Sequence, residues 1–280
     1  MYGKVFGFLC LLFMASPALA DDWDRASAAY DEGRYEDAIA LMTPLAEGGL
    51  VQAQSTLAHI HGYGHGTPIN EAAAYSWMRR AAEQGDAGAQ SKLGQMYLIG
   101  AGVKKDEAQA VHWLELAANQ YDPAALYNLA TMTMEGIGTK ADPAAAINLY
   151  YAASTLDEPN SIFALGMVYL TGKHEPADID LGLQFLSWSA QLGNRRASAM
   201  LAIVLQEIPE VEHHLVKSAA QFQVAMARGC DDLDKEAALA MSLLSPQERA
   251  LYDRSVTEDL FEVSHELHDH VPERAHCLSQ

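Results

Sequence analysis

Five sets of residues recur at a spacing of 36, four times over, and this period constrains the fold more than any other feature of the chain. Leu57, Leu93, Leu129 and Leu165 form one set, and Gly64, Gly100, Gly136 and Gly172 another. Asn70 is followed at the same interval by Asp106, Asp142 and Asp178. Ala82, Ala118, Ser154 and Ala190 make a fourth register, and Trp77, Trp113, Leu149 and Phe185 a fifth. A fixed period of this length marks a solenoid, in which each unit buries its apolar face on its neighbour. Such folds mostly make surfaces rather than reaction centres.

Residues 89–124 serve as the type copy. Ala89, Leu93, Met96 and Tyr97 fall at helical spacing, which predicts a helix A over about 89–99 with one apolar face. Gly94 lies on that face, where its role is to let a neighbouring helix approach closely. Gly100 and Gly102 break the helix, being able to adopt positive φ. Asp106 is placed to cap a helix B that carries Ala110, Trp113, Leu114, Ala117 and Ala118. Tyr121-Asp122-Pro123 closes the unit. The copies at 53–88, 125–160 and 161–196 keep this scheme. They place His61, Thr133 and Tyr169 at the column of Tyr97, and His174 replaces the second turn glycine of the last copy. The expected organisation is therefore a helix pair at 21–52, four repeats over 53–196, a degenerate repeat at 197–230, and capping helices with a tail at 231–280. Tyr30, Gly33, Tyr35 and Ala38 of the opening pair look more like a tetratricopeptide start.

The pattern A-x-x-x-L-G-x-x-Y-x-x-G-x-G-V-x-x-D followed by A-x-x-W-x-x-x-A-A stands at Ala89, Leu93, Gly94, Tyr97, Gly100, Gly102, Val103, Asp106, Ala110, Trp113, Ala117 and Ala118. It resembles the Sel-one-like repeat, a relative of the tetratricopeptide repeat, over roughly residues 50–200. The segment Leu244 to Ala250 is similar to the closing helix of bacterial members. The resemblance implies an all-α fold, a right-handed αα-superhelical solenoid of tetratricopeptide- and Sel-like helix pairs, used for contact with other proteins. Exported bacterial members regulate envelope sensors, scaffold assembly or bind host proteins. A cysteine-rich subgroup with a cysteine pair in each repeat is linked to penicillin binding. This chain has no cysteine in the four register-locked copies, so that label does not transfer.

The N-terminus reads as a secretory signal peptide over 1–20: Lys4 is basic, Val5 to Met14 is apolar, and Ala18-Leu19-Ala20 offers a cleavage site after Ala20. The apolar run is about ten residues, short of the roughly 20 that a spanning helix needs. The expectation is a periplasmic or secreted monomer with no membrane insertion after cleavage. The formal charge is −19, which argues against nucleic acid and anionic lipid as partners. Acid gathers over 21–47 and 231–273, where it would oppose end-to-end stacking. Cys230 and Cys277 remain after cleavage, and in an exported chain they suggest one disulfide.

No chemistry-bearing motif displaces the binding reading. The run His265-Glu266-Leu267-His268-Asp269-His270 would place His265 and Asp269 on one helix face, but it misses the H-E-x-x-H spacing. His59, His61 and His65 cluster in sequence, yet the repeat register accounts for them, His61 falling on the inward tyrosine column where a hydrogen-bonded histidine is ordinary. Gly166 to Lys173 has the wrong spacing for a phosphate loop, and no nucleophile-elbow motif occurs. The expectation is a non-enzyme without cofactor or metal.

In helical-pair solenoids the A helices usually line the concave side. Off the apolar face their columns hold Thr56, Lys92, Asn128 and Ala164; His59, Gln95, Thr131 and Met167; and Ser55, Ser91, Tyr127 and Phe163. These vary while the packing columns do not. Lys92, Gln95, Tyr127, Asn128, Thr131, Phe163 and Met167 are therefore the candidate partner-binding residues. Exposed Tyr127, Phe163 and Met167 would form an anchor patch; packing of the aromatics on the adjacent repeat is the alternative. The partner would be a protein or peptide of the bacterial envelope, such as a membrane sensor or an assembly partner; the alternatives are a secreted factor that binds a host protein, and a hydrolase or β-lactam-binding protein like the cysteine-rich relatives.

Overall fold

A computed structural model of the full chain describes residues 17–207, 214–230, 233–250 and 252–253. Thirteen α-helices follow one another between Pro17 and Leu243 among these residues, with no strand. The chain divides into two compact units, the first ending at Gln120 and the second beginning at Tyr121.

The first unit holds α1 (Pro17–Asp31), α2 (Tyr35–Glu47), α3 (Val51–Tyr63), α4 (Glu71–Glu83), α5 (Ala87–Ile99) and α6 (Glu107–Ala118). The proposed cleavage point after Ala20 falls in the first turn of α1. Consecutive helices pack on one another. Met42, Leu57 and Ile60 anchor one core cluster, and Met78, Leu93 and Met96 the next. The alanine columns do what small side chains permit: Ala74, Ala81, Ala82 and Ala89 are buried between helices. Gly94 goes further. A Cβ there would fall 2.7 Å from Leu114 Cγ and 3.1 Å from the Ala110 carbonyl oxygen, so the α5–α6 approach requires its absence.

The inter-helix turns are as the spacing predicts. Gly64 and Gly100 end α3 and α5 at φ of 73° and 81°. Asn70 and Asp106 cap α4 and α6 through their side chains, accepting from Ala73 N and Gln109 N at 3.0 Å. Their own N–H groups donate back to the His61 and Tyr97 carbonyls at 2.8 and 2.9 Å. That bond uses backbone alone, which explains why the side chain in this column is free to vary. The second turn glycines press on the preceding pair. A Cβ on Gly66 would fall 2.5 Å from Tyr35 Cβ, and one on Gly102 would overlap the Glu71 carbonyl oxygen.

One difference from the sequence reading concerns where a repeat starts. Helix A begins at Ala87 rather than 89, because Asp86 caps it by accepting from Ala89 N at 2.7 Å. Asp122, Glu158 and Asn194 occupy the same column at 36-residue intervals and cap α7, α9 and α11 in the same way.

A buried polar column also emerges in the first unit. Gln54 Nε2 donates to the Ala46 carbonyl at 2.9 Å, and Gln54 Oε1 accepts from Gln84 Nε2 at 2.7 Å. Gln90 and Gln120 repeat this with the Ala82 carbonyl. In the second unit the same two columns hold Leu126 with Leu156 and Ile162 with Leu192. Both members change together, as expected where a lone buried amide would lose its partner.

The second unit holds α7 (Pro123–Glu135), α8 (Pro143–Ser154), α9 (Pro159–Thr171), α10 (Ile179–Gln191), α11 (Arg195–Glu207), α12 (His214–Ala227) and α13 (Asp234–Leu243). Gly136 and Gly172 are left-handed, and Asp142 and Asp178 cap the B helices. Gly166 repeats the close approach of Gly94, its Cβ position lying 2.9 Å from Leu186 Cδ2. Beyond the fourth copy, Phe222, Cys230, Leu233, Ala240 and Leu244 form a separate apolar cluster.

Gly102→Ala is expected to lower stability by about 2–4 kcal/mol, since left-handed φ and overlap with Glu71 act together. Gly85→Ala has φ of 91° but no atom within 4 Å of its Cβ position, so it should cost only about 1 kcal/mol. Thermal melts of the two variants check the difference. For the amide column, Gln84→Leu alone should destabilise by about 1–3 kcal/mol, since it strips the buried Gln54 Oε1 of its donor, whereas Gln84→Leu with Gln54→Leu should recover most of the loss. A double-mutant cycle in urea reads that coupling.

Candidate functional site

The first unit contains a cleft of about 210 Å³ between α3 and α5. Ala58, His59, Gly62 and Tyr63 line it from α3, Glu71, Ala74 and Met78 from α4, and Lys92, Gln95, Met96 and Ile99 from α5. Its floor is made of small side chains. A Cβ built on Gly62 would meet Ala74 Cβ at 3.6 Å, an ordinary contact, with space beyond it. Its rim is apolar and open: Tyr63 is 58% exposed and Ile99 73% exposed. Isolated exposed apolar residues are common, but two flanking one cleft form a candidate contact surface.

The repeat register explains why a cleft stands here. The column of Gly62 continues as Leu98, Met134 and Leu170. In the fourth copy Leu170 packs onto Gly182, whose equivalent in the first copy is Ala74. The first copy thus lacks the large side chain that covers its B helix. The rim column of Tyr63 and Ile99 continues as Glu135 and Thr171, so its apolar members both belong to the first unit. Neither residue type is unusual alone. Gly62, Tyr63 and Ile99 stand out only against their equivalents in the other copies.

Lys92 and Gln95, both candidates from the sequence, line this cleft and are half-buried. Lys92 makes no ion pair among the described residues. Glu71 is engaged otherwise: it opens α4, and its Oε2 accepts from Gly102 N at 3.2 Å. The His59 ring lies 4.9 Å from Tyr63, tilted by 39°, and a row of rings continues through His65 and Tyr35 to Tyr30. The His59 ring is held below its ordinary value of 6.5, first by burial and then by the charges of Lys92 and His65.

The remaining candidates lie in the second unit, and all are half-buried. Tyr127, Asn128 and Thr131 are on α7, and Phe163 and Met167 on α9. Tyr127 packs on the core beside Tyr150, with ring centres 6.1 Å apart, and Thr131 Oγ1 bonds the Tyr150 hydroxyl at 3.1 Å. Phe163 packs on the next cluster, with the Arg196 guanidinium 5.1 Å above its ring. Where exposed anchors were expected, Tyr127 packs on helix B of its own repeat and Phe163 on the segment after its repeat. These side chains look outward by column, but α8 partly covers Tyr127 and α11 partly covers Phe163.

His61 Nδ1 is buried without a partner among the described residues, unlike the hydrogen-bonded histidine expected in that column. Among the described residues no three His, Cys, Asp or Glu side chains gather as a metal set, and His265 to His270 lie outside them. Cys230 is buried, and Cys277 lies outside the described residues. No described helix is long and apolar enough to cross a membrane.

Comparison with known proteins agrees with this architecture. The Sel1 repeat family model matches residues 51–86, 87–122, 123–158 and 159–194. No curated protein matches the chain. Among solved structures, a Sel1 repeat protein from Oxalobacter formigenes is similar at 23% identity and a TM-score of 0.73, over 84% of this chain and 99% of that one. A protective antigen of uropathogenic Escherichia coli strains with an SLR fold is similar at 23% identity and a TM-score of 0.68, over 89% of this chain and 57% of that one. An immunity protein of Pseudomonas aeruginosa shares 20% identity at a TM-score of 0.50, over 79% and 88%. At these identities the likeness is one of fold.

Because the folded state holds its proton on His59 less tightly than the unfolded chain does, acidification below about 6.5 should subtract stability through this residue. An NMR titration is expected to place His59 below 6.5, and Lys92→Gln should move it upward without restoring the ordinary value, since burial persists.

Proposed function

We propose, from the premise that the chain belongs to the Sel1 repeat family, that it is an exported scaffold of the bacterial cell envelope that binds another protein through the A-helix face of its first unit. The observation that carries this reading is the cleft between α3 and α5, apolar at floor and rim, with Lys92 and Gln95 at its wall. The packing columns of the repeats are held constant from copy to copy, while the columns facing the cleft differ. The partner is an envelope protein such as the outer part of a membrane sensor or an assembly factor. Membership of a repeat family that typically mediates protein–protein contact supports a binding role.

Export rests on the N-terminal sequence. Lys4, the apolar run to Met14 and Ala18-Leu19-Ala20 have the order that signal peptidase recognises. In an oxidising compartment Cys230 and Cys277 would form one disulfide. The acidic charge disfavours polymerisation of the stack and supports a monomer.

Cross-linking from the native protein tests the reading. The full chain, with a C-terminal tag, is expressed in its own bacterium, cross-linked in intact cells and analysed by mass spectrometry. One dominant protein partner linked within residues 58–101, and an N-terminus at Asp21 on the recovered chain, are expected. Links confined to the second unit, or a chain still starting at Met1, would contradict the site or the export respectively.

A further inference from the structure

We infer that the Gly62 cleft takes one bulky apolar side chain from an extended acidic segment of the partner, with a carboxylate of that segment reaching Lys92. The inference rests on the protein-binding reading above and adds the chemistry of the occupant.

Size points to a side chain. At about 210 Å³ the cleft lies below the roughly 300–1,000 Å³ of small-molecule pockets. Its buried lining side chains, Ala58, Ala74, Met78 and Met96, are all apolar. Methionine walls adapt to the shape of an inserted side chain. Where other copies fill this position from within by Leu98, Met134 or Leu170, the first copy leaves it to be filled from outside.

Charge points to an acidic segment. The chain carries 37 acidic residues against 18 basic ones, so most of its surface repels an acidic partner. Lys92 is an exception beside the cleft. Its column otherwise holds Thr56, Asn128 and Ala164. The one carboxylate lining the cleft, Glu71, already accepts from the Gly102 backbone and lies at the start of α4, where the helix dipole favours it. A partner carboxylate would find Lys92 without an ion-pair partner among the described residues.

A glycine within a helix costs up to about 1 kcal/mol. Gly62 lies in α3 without positive φ. Gly62→Leu would restore the side chain of the other copies, so a fold optimised for stability alone favours that change.

Phage-displayed random dodecapeptides selected on the full-length protein test the inference. Enriched sequences are expected to pair a Leu, Ile, Phe or Met with Asp or Glu a few residues away. Lys92→Glu should reverse the charge preference toward Lys and Arg. Gly62→Leu should reduce enrichment at least tenfold while its thermal midpoint stays equal or rises. Enrichment without acidic residues, a preference unmoved by Lys92→Glu, or undiminished selection by Gly62→Leu would overturn the inference. No enrichment at all would also overturn it. The cross-linking result separates these outcomes from failure of the broader reading: a partner captured within residues 58–101 without peptide enrichment leaves a folded-domain partner standing.

Discussion

Each repeat depends on one backbone device, a left-handed glycine that ends helix A followed by a side-chain cap that starts helix B. Gly64 with Asn70, Gly100 with Asp106, Gly136 with Asp142 and Gly172 with Asp178 all use it. The cap residue also donates its N–H to a carbonyl in the last turn of helix A, closing the turn without any side chain of that column. Once this geometry is set, the angle between the two helices is set too. Leu93 then meets its cluster, and Gly94 and Gly166 must stay without side chains for Leu114 and Leu186 to seat.

Most of the fold was legible because it is written in repeats. The Gly–Asp register, the close-approach role of Gly94 and the alanine seams could all be read from spacing alone. Less visible was the cap of helix A. Asp86, Asp122, Glu158 and Asn194 share a column but not an identity, so their common role appears only when their carboxylate or amide oxygens are seen accepting backbone N–H groups. The Gln54–Gln84 pair was hidden for a similar reason. Its two members come from different helices, and the second unit substitutes leucines for both.

The site was legible in part. Lys92 and Gln95, selected through column variation, line the candidate cleft. Tyr127 and Phe163 were selected by the same rule, but they pack against Tyr150 and beneath Arg196. A column that faces outward on an isolated helix is covered when another helix reaches it, and spacing along the chain does not encode that reach. Gly62 escaped for the opposite reason. It reads as one more glycine until set beside Leu98, Met134 and Leu170. A cleft made by a missing side chain is a difference between copies, and the period that establishes the fold is built from their similarities.

The central claim is that binding is centred on the first unit at this cleft. Hydrogen–deuterium exchange of the full-length protein, alone and with its cross-linked partner purified, tests it most directly. The account predicts slowed exchange concentrated in α3 and α5, over 58–65 and 92–101, with smaller changes elsewhere. Protection confined to α7 and α9, with α3 and α5 exchanging as in the free protein, would contradict it.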